Sequence, residues 1–206
     1  RSAGQTLTFK GQPLIIEAVN EYSFADVDVV LGAVENELAK RWAPVIVKAG
    51  AVFVDNSSAF RLDPDVPLVI PQINPQDIRT HQGIIANPNC ATIIALMAVA
   101  PIYRLSRITR MIVSTYQAVS GAGAAGLAEL KRQITQLEAG QAASAETFPV
   151  QIAYNLIPQI GSFDEQGYSS EEMKLQNEGR KILHDPALRV SCTCVRVPVL
   201  RCHSES

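Results

Sequence analysis

The residue best placed to do chemistry in this 206-residue chain is Cys90, which follows Asn87-Pro88-Asn89 and opens an apolar run that extends to Ile102. A cysteine in the first turn of a helix meets the positive end of the helix dipole, which favours thiolate over thiol and predicts a pKa below about 8.5. The thiolate is the nucleophile, and adjacent backbone N–H groups can hold an oxyanion. The plainer alternative is a small apolar core residue, a common use of free cysteine. A nucleophilic cysteine also needs an acid–base partner. Of the three histidines, His81 lies in a polar loop and His184 at a helix end, whereas His203 follows an apolar strand and Pro198. A structural role for His203 stays open at this point.

Anion-binding side chains come next. Arg196 sits among Val195, Val197 and Val199. An arginine in such a strand must have a partner, and its planar fork fits a carboxylate or phosphate. Glu171 and Lys174 share one helix face, and without other information they read as an exposed ion pair of little energetic value. Arg61, in the polar loop after Ala51–Asp55, is placed to reach an anion at a sheet's C-terminal edge or to remain a solvated surface arginine. Ser120-Gly121-Ala122-Gly123 leads into a helix and can present N–H groups to a phosphate or carboxamide, although the bare pattern is weak. Cys192-x-Cys194 on an extended strand points both sulfurs to one face and lacks zinc-knuckle spacing, so no metal site is expected.

The elements that must position these residues fall into two groups. Val27–Leu31, Ala51–Asp55, Pro67–Ile70 and Gly83–Ala86 read as short strands, and Glu37–Ala49 reads as a helix. Apolar strands alternating with helices predict a parallel α/β layer. Cys90–Tyr103 is apolar nearly all round, the pattern of a buried helix. Arg107–Val119 and Leu188–Leu200 read as long strands, and Gly121–Ala139 and Ser169–His184 as helices. A boundary near Asn89 divides residues 1–89, a nucleotide-binding-type layer, from residues 90–206, a mixed α+β layer. No G-x-G-x-x-G fingerprint is present, and Arg201–Ser206 is expected to follow the last strand with nothing to pair or cover it.

Composition narrows the class. Hydrophobic residues make up 47% and charged residues 18% of the chain, enough apolar material for a sizeable core. Eighteen basic against twenty acidic residues, with no basic block, argue against nucleic acid as a partner. The run from Cys90 is too short to span a membrane, and Arg1 opens no signal-peptide pattern. Four cysteines bunched late in the chain do not form a disulfide framework, which points to a reducing cytoplasm.

Four blocks, taken in order, resemble the aspartate-semialdehyde dehydrogenases: Asp55-Asn56-Ser57-Ser58-Ala59-Phe60-Arg61, Asn87-Pro88-Asn89-Cys90, Ser114 through Gly123, and Arg196-Val197-Pro198-Val199 through His203-Ser204-Glu205. The resemblance implies a Rossmann-like NADP-binding layer lacking its first βα unit. An incomplete catalytic and dimerisation domain of glyceraldehyde-3-phosphate-dehydrogenase type follows, and the expected partner is a second copy. It assigns Cys90 as the thioester-forming nucleophile, His203 as the acid–base residue and Gln117 as the group that orients substrate. Arg196 falls on the substrate-carboxylate arginine, Glu171 on the acid that meets the substrate amine, and Arg61, Asn89 and Lys174 on phosphate-binding positions. Arg1 and Ser2 match the 2′-phosphate contacts, and Ser120 and Gly121 match a contact to the nicotinamide end.

Two departures stand out. Gly32-Ala33-Val34-Glu35-Asn36-Glu37 replaces a Ser/Gly-rich turn, and its carboxylates are expected to weaken a dinucleotide site; Ala91 replaces a hydroxyl residue. The implied reaction is reductive dephosphorylation of L-aspartyl 4-phosphate to L-aspartate 4-semialdehyde with NADPH. It serves lysine, threonine and methionine synthesis. The rivals are an N-acetylglutamyl-phosphate reductase, which Glu171 opposes because an acetylated nitrogen carries no charge, and a non-catalytic paralogue keeping the fold.

Overall fold

The computed structural model describes residues 2–206. A hairpin of β1 (Thr6–Phe9) and β2 (Gln12–Ile15) comes first. Its turn, Lys10-Gly11, has φ of 49° and 79°, the left-handed pair that a two-residue hairpin connection requires. Sequence patterning gave no sign of this hairpin.

The first layer is a parallel sheet of order β3-β4-β5, with β3 at Val29–Gly32, β4 at Val52–Asp55 and β5 at Ile84–Ala86. Helix α1 (Asn36–Lys48) crosses between β3 and β4 and buries Ala39, Ala43 and Ile46 against Phe53, Ala51 and Phe24. Pro67–Ile70 does not form a strand. Only Leu68 bridges to Ala86, and the buried Asn74 amide takes two further backbone groups of the segment, accepting from Ile70 N–H at 2.9 Å and donating to Leu68 O at 2.8 Å. A polar side chain has replaced the ladder that a strand would have supplied.

Helix α2 (Cys90–Leu105) leaves the C-terminal end of β5. It is buried on one face only, through Ala91, Thr92, Ala95, Leu96 and Ala100, while Ile94, Met97, Ile102 and Leu105 are exposed. The expectation of burial all round is corrected. Hydropathy records what a helix can bury, and here α4 (Ser170–Ile182) and the second sheet cover one side of it.

That second sheet has the order β7-β6-β8. Strands β6 (Arg110–Ala118) and β7 (Arg189–Val197) run parallel in unbroken register from Arg110↔Arg189 to Ala118↔Val197, which sets Gln117 opposite Arg196. Helix α3 (Gly123–Glu138) follows β6 after a short 3-10 turn. The chain after β7 turns back, and β8 (Ser204–Glu205) pairs antiparallel with Thr115 and Tyr116. The expectation that these last residues pair with nothing is therefore wrong. Two polar residues are too short a run to show strand periodicity.

Helix α4 carries three residues of the site described below, so its anchors matter. At its start Ser169 and Glu172 form a capping box, and Glu172 Oε1 also accepts the Cys194 N–H at 3.1 Å. Beyond its end, Asp185 receives Tyr103 Oη at 2.8 Å, Arg107 Nε at 3.0 Å and Arg107 Nη2 at 2.8 Å. Hydrogen bonds from Arg107 and Tyr103 hold the Asp185 carboxyl at about 2. Because the folded value lies below the unfolded one of about 3.9, this anchor contributes in full above that value and is lost as pH falls towards 2. Asp185→Asn should lower the melting temperature at pH 7. Between pH 4 and pH 2 the variant should lose less stability than the parent, as thermal denaturation followed by circular dichroism would read.

Candidate active site

A cleft of about 320 Å³ opens where the two layers meet, lined by Ser58, Arg61, Asn89, Cys90, Gln117, Gly121, Ile160, Gly161, Glu171, Lys174 and Arg196. The end of β4 supplies the Asn56–Arg61 loop, the end of β5 the Asn87–Asn89 turn, the end of β6 Gln117, the end of β7 Arg196, and the first turns of α4 Glu171 and Lys174. Convergence at the C-terminal ends of parallel strands is where open α/β sheets place ligands.

Asn89 holds the cleft's base together. Its Oδ1 caps α2 by accepting from Ala91 N–H at 2.9 Å and Thr92 N–H at 3.3 Å. Its Nδ2 donates to Glu171 Oε1 at 2.9 Å, and its own N–H donates to Glu178 Oε2 at 2.7 Å. Cys90 follows immediately and is solvent-exposed. Its thiol pKa is raised. Desolvation by the walls of the cleft comes first and the Glu171 charge second, and together they outweigh the helix N–H groups and Arg196. The expected depression is thus corrected, because the sequence placed the thiol on a helix dipole without showing the carboxylate beside it.

Glu171 is buried, not half of an exposed pair. Besides Asn89, its Oε1 accepts from Gln117 Nε2 at 3.0 Å, and its Oε2 from Lys174 Nζ at 3.0 Å. Burial opposes ionisation, but Lys174 and the two amides win and hold the Glu171 pKa low. Thr115 Oγ1 donates to Gln117 Oε1 at 3.0 Å, which turns the Gln117 amide hydrogens towards Glu171.

Arg61 is also buried. Its Nη1 reaches Glu178 Oε1 at 3.2 Å and its Nη2 reaches Asn56 O at 2.9 Å, while its Nε, itself buried, has no partner among the described residues. Glu178 therefore ties this arginine to the Asn89 turn, and sequence reading missed it. A signal was available, since Glu171, Lys174 and Glu178 follow the i, i+3, i+7 spacing of one helix face.

One residue, Ala118 at the end of β6, holds two more groups through its backbone. Its carbonyl accepts from Arg196 Nη1 at 2.7 Å, and its N–H donates to His203 Nδ1 at 3.0 Å. A backbone donor leaves no choice of role, so neutral His203 carries its proton on Nε2. Burial and Arg196 lower the His203 pKa and keep the ring neutral, against the Cys202 carbonyl and Glu171. Gly121 closes this corner. A Cβ there would lie 2.7 Å from Arg196 Nη1 and 3.4 Å from His203 Nε2, so a side chain would displace the Arg196 guanidinium. Ser120 sits beside it, half-buried.

The structure thus brings together Cys90, Gln117, Arg196, Glu171, Arg61, Asn89, Lys174 and Gly121, with His203 behind Gly121. Ser2 is exposed and does not line the cleft, and Arg1 lies outside the described residues. In the Glu35–Glu37 turn both carboxylates face solvent, and Asn36 is bonded to the Ser58 loop through Ser58 N–H at 3.0 Å. Cys192 and Cys194 are buried with sulfurs 3.5 Å apart. Among the described residues no helix is long and apolar enough to cross a membrane.

Two family models match: "Semialdehyde dehydrogenase, NAD binding domain" over residues 1–81 and "Semialdehyde dehydrogenase, dimerisation domain" over residues 99–206. An aspartate-semialdehyde dehydrogenase of Synechocystis is 50% identical over all of this chain and 61% of its own length. One of Aquifex aeolicus is also 50% identical, over all of this chain and 62% of its own. A crystal structure of aspartate semialdehyde dehydrogenase II of Vibrio cholerae, complexed with ASA, superposes with a TM-score of 0.97. It is 46% identical, over 99% of this chain and 61% of that one. The chain therefore spans about three-fifths of the length of these relatives. On the match of both family models and on the superposition, the chain belongs to the semialdehyde dehydrogenase family.

Proposed function

We propose that this chain serves the reductive dephosphorylation of L-aspartyl 4-phosphate to L-aspartate 4-semialdehyde through a thioester on Cys90. Residues 1–89 form the cofactor half and residues 90–206 the catalytic half, in a homodimer in the reducing cytoplasm. The observation that carries the reading is one cleft in which an exposed thiol at a helix N-terminus faces a buried carboxylate and three cations, Arg61, Lys174 and Arg196. A substrate with a carboxylate, an ammonium and an acyl phosphate has a counter-charge for each of its groups there.

Arg196 grips the substrate carboxylate, Glu171 meets the ammonium, and Arg61 and Lys174, with Asn89, hold the phosphate. Cys90 Sγ, as thiolate, attacks the acyl carbon; the C–S bond forms, the C–O bond to phosphate breaks, and phosphate departs against Arg61 and Lys174. Ser120 and Gly121, at the Cys90 cleft, would meet the nicotinamide end of NADP and Ser2 its 2′-phosphate, as would Arg1, which lies outside the described residues. When bound, the dinucleotide supplies the hydride that reduces the thioester. His203 Nε2–H donates to the oxygen of the resulting thiohemiacetal. Collapse of that oxyanion breaks the C–S bond, releases the aldehyde and returns the thiolate of Cys90.

Because burial and Glu171 raise the Cys90 thiol, its iodoacetamide alkylation should be slow at pH 7. The rate should climb through the alkaline range with a midpoint above the free value of about 8.5. Mass spectrometry should find Cys90 labelled ahead of the buried Cys192 and Cys194; earlier labelling of that pair would contradict the reading. Arg196→Leu should abolish protection of Cys90 by aspartate semialdehyde and spare protection by phosphate, and Arg61→Leu should do the reverse. Each charge-assisted contact is worth roughly 1.5–3 kcal/mol, about ten- to a hundredfold in affinity. Equal losses with both ligands in both variants would count against the division of anions.

A further inference from the structure

Glu171 and Lys174 are bonded to each other at 3.0 Å, yet the function proposed above gives them different parts of one substrate. Two ammonium groups on one carboxylate oxygen repel each other, so a ligand ammonium and Lys174 compete for Glu171. On Glu171, Oε1 is filled by the Asn89 and Gln117 amides, so Oε2 is the oxygen an ammonium can take, and Lys174 Nζ occupies it. The two differ in freedom. The Glu171 side chain is 6% exposed and fixed by donors from α2 and β6, whereas the Lys174 side chain is 34% exposed on a flexible stem. At the phosphate end Arg61 is buried and already bonded to Glu178 and Asn56. Lys174 is the cation of that end that can move.

We infer that the Glu171–Lys174 pair opens by partner exchange: a ligand ammonium replaces Lys174 Nζ on Glu171 Oε2, and the released Lys174 turns to phosphate. The inference rests on the assignment of the amine to Glu171 and of phosphate to Lys174 made under Proposed function. Its physical basis is the cost of stranding a buried charge. Phosphate alone must draw Lys174 away and leave a buried carboxylate without its cation, which is strongly unfavourable. An ammonium in the cleft supplies the replacement, so amine and phosphate bind synergistically, and by linkage each tightens the other by the same factor. Discrimination against a neutral, acylated nitrogen is then twofold: such a ligand makes no ion pair itself and leaves Lys174 locked away from the phosphate.

Titration calorimetry tests this on the chain as it stands. Inorganic phosphate is titrated alone, with saturating L-2-aminobutyrate, which has ammonium and carboxylate but no electrophile, and with butyrate, which lacks the ammonium. Aminobutyrate should tighten phosphate by about five- to a hundredfold, the usual range for coupled sites, and butyrate should not. Phosphate should tighten aminobutyrate by the same factor. In Lys174→Met the amine should still bind and the coupling should vanish. Equal phosphate affinity with and without aminobutyrate, equal coupling from butyrate, or coupling that survives Lys174→Met would each overturn the exchange while leaving the proposed function standing. Failure of wild-type protein to bind either ligand would overturn the proposed function as well.

Discussion

The site depends on keeping one carboxylate, Glu171, ionised inside the protein. A buried carboxylate without donors would take up a proton. Three donors prevent that, and they come from three elements: Asn89 at the cap of α2, Gln117 at the end of β6 and Lys174 one turn further along α4. Satisfying that charge brings the end of β6, the start of α2 with Cys90, and α4 to one point. Glu178, two turns along, repeats the device by bridging Arg61 and the Asn89 N–H.

The arrangement has a consequence for Cys90. The helix N-terminus and Arg196 favour its thiolate, while desolvation and Glu171 oppose it, and in the ligand-free protein the opposition wins.

The backbone supplies the remaining precision. Nine consecutive parallel register pairs between β6 and β7 end at Gln117↔Arg196 and Ala118↔Val197, so a slip of one residue would turn Gln117 or Arg196 away from the cleft. The Ala118 backbone then fixes Arg196 through its carbonyl and His203 through its N–H. A main-chain group does not titrate, which suits it to set the tautomer of the His203 imidazole.

The sequence by itself determined the strands β3, β4 and β5, the helices α1 to α4 and the blocks carrying Cys90, Gln117, Arg196 and His203. These rest on local signals: short β-rich apolar runs, helical spacing of apolar residues and the order of the motif blocks. It could not show that Pro67–Ile70 lacks a ladder, that one face of α2 is uncovered, or that Ser204–Glu205 returns to β6, because each depends on what lies across space from the segment. The same holds for the chemistry. That Glu171 is buried, that Arg61 leans on Glu178 and that the Cys90 thiol is raised follow from charges separated by up to 117 positions in the chain. Burial and Coulomb interaction depend on distance in the folded molecule, which no local stretch of sequence specifies.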